Sequence, residues 1–169
     1  MLHMKKIIST EASNSNIAKV KDLLAETPVK LEGLTKRLPA EGLRQPLGSG
    51  ERSLTENLAH LINCEARSSE AIYLALLADE PVFADIHPER QLGKLLRYDL
   101  LACSDLLAYF KLRRTVLLRV LGSLTEEQWS RSICGAGKKR KESVYWRART
   151  IVMHELDHLG DLESKLLKK

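Results

Sequence analysis

VMHELDHLGDL (Val152–Leu162) decides how the rest of the chain is read. It contains His154-Glu155-x-x-His158. It falls inside an apolar stripe of Val144, Ala148, Ile151, Leu159, Leu162 and Leu166, which predicts a last helix from about Ser143 to Leu167. Four residues make slightly more than one helical turn, so both imidazoles leave the same side, and that side is the apolar one. Two imidazoles held this way can share one metal ion, with ligand bonds of ~2.1 Å. The plain alternative is two partly buried histidines bonded to backbone or carboxylate. A metal site needs a third protein ligand.

H-E-x-x-H on a helix is also the zinc-peptidase pattern, with the glutamate as general base. Here that reading fails. Only 11 residues follow His158 and none is histidine. Glu163 lies barely a turn on, and Asp161 stands where the longer motif has glycine. No strand is evident to bind an extended peptide. Of the remaining histidines, His3 lies in a loose terminus and His87 precedes Pro88 in a connection. His60 lies in SLTENLAHLINCEARSSEAIYLALLA (Ser53–Ala78), whose Ser53-x-x-Glu56 start is a capping box. A helical bundle can set two such helices side by side, with ligands converging between them. His60, His154 and His158 would supply three nitrogens and leave positions open, as catalytic metal sites do.

The rest of the 169 residues is rich in helix formers, and all five prolines lie at or before Pro88. Residues 14–26 predict a helix that Thr27-Pro28 breaks or restarts, and Leu31, Leu34 and Leu38 continue the helical spacing. Residues 39–50 predict a loop. A third long helix is expected from Leu92 or Asp99 to Leu121, with Leu101, Leu107, Ala108, Leu112, Val116 and Leu118 on its inner side. Thr125 and Gln128 cap a further turn. Residues 132–141 form a turn with a basic cluster. No alternating strand of convincing length appears. The expectation is an all-α four-helix bundle with short additional helices, in a single domain over 1–169, with residues 1–13 loose.

A net charge of +5, from 27 basic and 22 acidic residues, is a mild bias and no signature of a nucleic-acid binder. The basic run in GKKRKESVYWRAR (residues 137–149) reads first as a solvated loop and helix start. Three widely spaced cysteines without C-x-x-C fit a reducing compartment. No secretory leader is evident, and charges interrupt every apolar run short of the ~20 residues that span a bilayer. A cytoplasmic protein without a membrane partner is expected.

SLTENLAHLINCE followed by HELDHLGDL resembles the DinB/YfiT-like superfamily of small metal-binding proteins. The stretch TPVKLEGLTKRLPAEGLRQPLGSGERSLTENLAHL resembles that family's usual opening, so the likeness covers most of the chain. The resemblance implies a four-helix bundle that holds a divalent metal (zinc, nickel, iron or manganese) on His60, His154 and His158. One departure is Asp161, where many members have glutamine. The family further implies a small-molecule substrate, a homodimer, and thiol chemistry with a low-molecular-weight thiol such as bacillithiol or mycothiol. The resulting expectation is a metal-dependent thiol S-transferase or related enzyme. Its alternatives are a non-enzymatic metal-stabilised or stress-related binding protein, a hydrolase, and most distantly a peptidase.

Arg147, two turns before His154, is a candidate for an anionic substrate group, against a plain reading as a solvent-facing arginine. Cys64, one turn after His60, is a candidate substrate contact or soft ligand, against a small buried cysteine. Glu155 and Asp157 read as solvated helix charges, Trp129 and Trp146 as packing residues. Gly160 costs the helix about 1 kcal/mol relative to alanine, which a close approach by another helix would explain.

Overall fold

The computed structural model describes residues 8–167. Helix α1 (Asn14–Thr35) starts at Ser13, and α2 (Leu54–Leu77) at the Ser53–Glu56 capping box. In that box the Glu56 backbone donates to Ser53 Oγ at 3.1 Å and the Ser53 backbone to Glu56 Oε2 at 2.7 Å. A short strand β1 (Val82–Phe83), a π-helical turn (Pro88–Gly93), helix α3 (Lys94–Leu96) and a 3-10 turn (Tyr98–Leu100) lead to α4 (Cys103–Gly122). Then come α5 (Glu126–Ser130), strands β2 (Ser132–Gly135) and β3 (Lys141–Ser143), and α6 (Val144–Leu166). The bundle is made by α1, α2, α4 and α6. Both α1 and α2 pack mainly on α4 and α6, so the consecutive pair α1 and α2 lies across the diagonal. None of the described helices is long and apolar enough to cross a membrane.

Three expectations about the elements are corrected. First, α1 runs through Pro28 without a break. Proline lacks the N–H that would bond the carbonyl four residues back, and that carbonyl is Leu24 O. Arg114 of α4 fills the gap, donating from Nη1 to Leu24 O at 2.7 Å. Second, the inner face of α4 is Cys103, Leu106, Phe110, Arg114, Leu117 and Leu121. Leu101 and Ala108 are exposed, as are Leu112 (63%) and Val116 (48%), while Leu107 and Leu118 are half-buried. Third, a small sheet exists. β1 pairs parallel to β2, and β2 antiparallel to β3. Strands of two to four residues carry no readable alternation. Gly137 sits in the connecting turn with φ 72°, a left-handed conformation that glycine adopts without a side-chain clash. Of the segment before α1, the described residues Ile8 and Ser9 contact α6. Ile8 is buried, its carbonyl accepts from Arg149 Nε, and Ser9 O accepts from the Tyr145 hydroxyl. Residues 1–7 of the segment expected to be loose, with His3, lie outside the described residues.

Among the described residues, two apolar clusters fill the bundle. One joins Val20, Leu24, Ile72, Leu117, Leu121 and Ala148, and the other joins Leu31, Leu58, Ile62, Phe110, Leu159 and Leu162. Between them runs a polar layer. Arg114 (2% exposed) meets both oxygens of Glu155 (1% exposed), and Arg113 Nε donates to buried Glu65 at 2.6 Å. Glu155 is therefore no solvated charge. Burial pushes its pKa up and Arg114 opposes the shift. Such a layer is a weak source of net stability, yet removing either partner would leave a buried charge alone.

Candidate metal centre

His60 lies on α2 two turns after its cap, and His154 and His158 lie one turn apart on α6. His60 is buried and the other two are half-buried. Their Nε2 atoms converge: His60 Nε2 is 3.2 Å from His154 Nε2 and 3.0 Å from His158 Nε2. Two ligands bound at ~2.1 Å to one ion lie roughly 3.0 Å apart at a right angle and roughly 3.4 Å apart at the tetrahedral angle. The observed spacing falls in that range. Among the described residues this is the group of three or more metal-ligating side chains that could hold an ion.

The electrostatics favour ligation. Burial, reinforced by the neighbouring imidazoles, holds His154 and His158 down to about 4, and burial lowers His60 as well. Near neutral pH all three rings are unprotonated at a lone pair, as ligands must be.

Glu89, from the Pro88–Gly93 turn, was missed by sequence reasoning. Its Oε1 contacts His60 Nδ1 and its Oε2 accepts from Arg52 Nη2 at 3.0 Å. No spacing rule could have found it, because the contact spans 29 residues and leaves from a non-repetitive connection. His87, placed in that connection, caps the same turn: its Nδ1 accepts from the backbone of Glu89 at 3.2 Å and of Arg90 at 3.1 Å.

Cys64 Sγ lies 3.7 Å from His60 Nδ1 and 3.8 Å from His60 Nε2. Burial pushes its thiol up to about 12, with Glu89 adding to the shift, so it is a neutral thiol at ordinary pH. It lines a cavity of about 250 Å³ together with Phe83, Lys138, Arg147, Ile151 and His154. Arg147 pairs with Glu142 at 2.7 Å and is mostly buried, not solvent-facing. Arg67 borders the same cavity but is committed elsewhere. It donates to Ile86 O and Ala84 O, meets Glu70, and lies over the Phe83 ring. A second, more open hollow of about 550 Å³ is lined by His60, Arg52, Asn63, Glu89, Lys94 and Tyr98.

Other sequence candidates sit outside the centre. Asp161 is exposed and pairs with Lys165 at 2.6 Å. Asp157 is exposed, as read from sequence, and so is Gly160. Trp129 is buried, while half-buried Trp146 carries Arg140 over its ring at 4.1 Å. The basic run is dispersed: Lys138 approaches Asp85 at 4.0 Å and Lys141 pairs with Glu80 at 2.6 Å.

No protein of curated function matches the sequence. Among solved structures, YfiT from Bacillus subtilis, described as a probable metal-dependent hydrolase with an unusual four-helix bundle topology, matches with a TM-score of 0.82 and 18% identity, over 93% of this chain and 89% of that one. A mycothiol-dependent maleylpyruvate isomerase matches with a TM-score of 0.58 and 15% identity, over 90% of this chain and 66% of that one. Identities this low carry the fold alone. The family model of the DinB superfamily matches residues 23–162, a span that starts within α1 and holds all three converging histidines. With sequence model and bundle in agreement, the chain belongs to the DinB superfamily.

Proposed function

We propose that this protein binds a divalent metal on His60, His154 and His158 and acts on a small molecule, as a metal-dependent thiol S-transferase or a closely related enzyme. One observation carries the reading: three imidazole nitrogens lie within 4.8 Å of one another, and one of those rings, His154, also lines a partly apolar cavity. The ion would supply Lewis acidity, bringing the pKa of a thiol or water at the site toward neutrality. The protein's own part is to bind and orient. Phe83 and Ile151 give the cavity an apolar wall, and Arg147 and Lys138 offer cationic ends for a carboxylate on thiol or electrophile. Cys64, a neutral thiol, contributes contact surface there. In the transfer, the low-molecular-weight thiol loses its proton to solvent, its sulfur bonds to an electrophilic carbon, and the leaving group departs with the bonding pair. The same site with water in place of thiol would give hydrolysis, the activity suggested for YfiT.

Imidazole nitrogens suit zinc, nickel, iron and manganese to differing degrees, and the histidine spacing selects none of them. Three free cysteines support a reducing, cytoplasmic setting. The exposed Tyr109, Leu112 and Val116 of α4 support pairing of two copies, and neither nucleic acid nor membrane is a partner in this reading.

One observation favours a non-enzymatic, metal-stabilised binding protein as second reading. Glu155, the acid–base group adjacent to the histidines in sequence, is committed to Arg114. That commitment also weighs against a peptidase, which needs this glutamate free. The test is thiol consumption by the zinc-, nickel-, iron- or manganese-loaded protein across a panel of electrophiles, with and without chelator. Chelator-sensitive consumption supports the enzyme. None across the panel, with metal bound, supports the binding protein.

A further inference from the structure

We infer that Glu89 is the positioning residue of the metal centre: it holds the proton of His60 on Nδ1, so that Nε2 offers its lone pair to an ion shared with His154 and His158. This rests on the metal reading above and adds a residue to it. A carboxylate oxygen only accepts hydrogen bonds, so the contact between Glu89 Oε1 and His60 Nδ1 requires the proton on Nδ1. The remaining nitrogen, Nε2, is the one that faces His154 and His158. A neutral histidine in water carries its proton mainly on Nε2, so the carboxylate reverses the ordinary preference. Hydrogen bonding at the far nitrogen both orients a ligating ring and raises its basicity.

Three features aim Glu89. His87 accepts from its backbone N–H and fixes the first turn of the Pro88–Gly93 segment. Arg52, immediately before the α2 cap, takes its other oxygen at 3.0 Å. The segment lies close on α2: a Cβ at Gly93 would come within 3.3 Å of Asn63 Nδ2 and 3.4 Å of Pro88 O. The turn is thereby tied to α2 just where α2 presents His60.

The experiment compares wild type, Glu89→Ala and Glu89→Gln by two readouts. Zinc affinity at pH 7 is measured by competition with a chromophoric chelator. The tautomer of His60 in metal-free protein is read from its ring nitrogen shifts by NMR. Glu89→Ala is expected to weaken zinc binding about 10- to 100-fold and to move the His60 proton toward Nε2. Glu89→Gln, whose carboxamide oxygen still accepts, is expected to lose less and to keep the wild-type tautomer. A purely structural role for Glu89 would lower stability without moving the tautomer. Zinc affinity within twofold of wild type in Glu89→Ala, or a wild-type His60 protonated on Nε2, overturns the inference. A wild type that binds no zinc defeats the metal reading itself, while the tautomer measurement still judges Glu89.

Discussion

Replacing Arg114 with methionine should be among the costliest single changes in the bundle, and its cost should depend on Pro28. Arg114 holds two things at once: both oxygens of Glu155 and the Leu24 carbonyl that Pro28 leaves without its helical N–H. Removing one partner of a buried ion pair costs about 3–5 kcal/mol, and stranding a buried carbonyl about 1–3 kcal/mol. The sum of about 4–8 kcal/mol rivals the whole stability of an ordinary domain, about 5–15 kcal/mol. The assay is urea unfolding of metal-free protein for wild type, Arg114→Met, Pro28→Ala and the double variant. Pro28→Ala returns an N–H to Leu24 O, so it should help more in the Arg114→Met background than in wild type, by about 1–3 kcal/mol. Without Arg114, which opposes the rise, the Glu155 pKa should climb further above its unfolded value. A group raised in the folded state stabilises at low pH and loses that contribution as pH rises, so the deficit of Arg114→Met should grow from pH 5 to pH 8. A cost under about 1 kcal/mol, or equal effects of Pro28→Ala in both backgrounds, would show that Arg114 does not stabilise both partners.

The histidines make an opposite pH prediction. His154 and His158 sit at about 4 when folded, below their ordinary 6.5, so protons favour the unfolded chain. Metal-free protein should hold its full stability above about pH 6.5 and lose it as pH falls toward 4, visible in urea midpoints, whereas a flat profile would contradict the burial of the rings. Ser53→Ala should cost about 1 kcal/mol by removing the α2 cap, measured in the same urea series, and no loss would mean the cap is dispensable. Cys64, with its thiol at about 12, should react with iodoacetamide at pH 8 far more slowly than free cysteine, and equal rates by mass spectrometry would contradict its neutral state.

The legible parts of the chain were those whose cause is local. The Ser53–Glu56 and Thr125–Gln128 capping boxes are written in four residues each, and both form as read. His154 and His158 face one side because of helical pitch alone, and His60 joins them from the helix its cap announced. Where a feature depends on distant partners, pattern reading misleads. On α4 the apolar residues Leu112 and Val116 point outward while Arg114 points inward, because Glu155 and Leu24 O await it across the bundle. Pro28 looked like a helix break because the group that compensates it lies 90 residues away from Leu24. Glu155 looked solvated because its partner is 41 residues off. Glu89 gave no signal, since a carboxylate in a connection becomes meaningful only once the turn lands on His60.

The most direct test of the metal centre is elemental analysis by plasma mass spectrometry of wild type and His60→Ala, purified side by side without a histidine tag. Near-stoichiometric divalent metal is expected in wild type, with its loss in the variant, because two imidazoles on α6 need the third from α2. Metal retained in His60→Ala, or none in either protein, would contradict the three-histidine site.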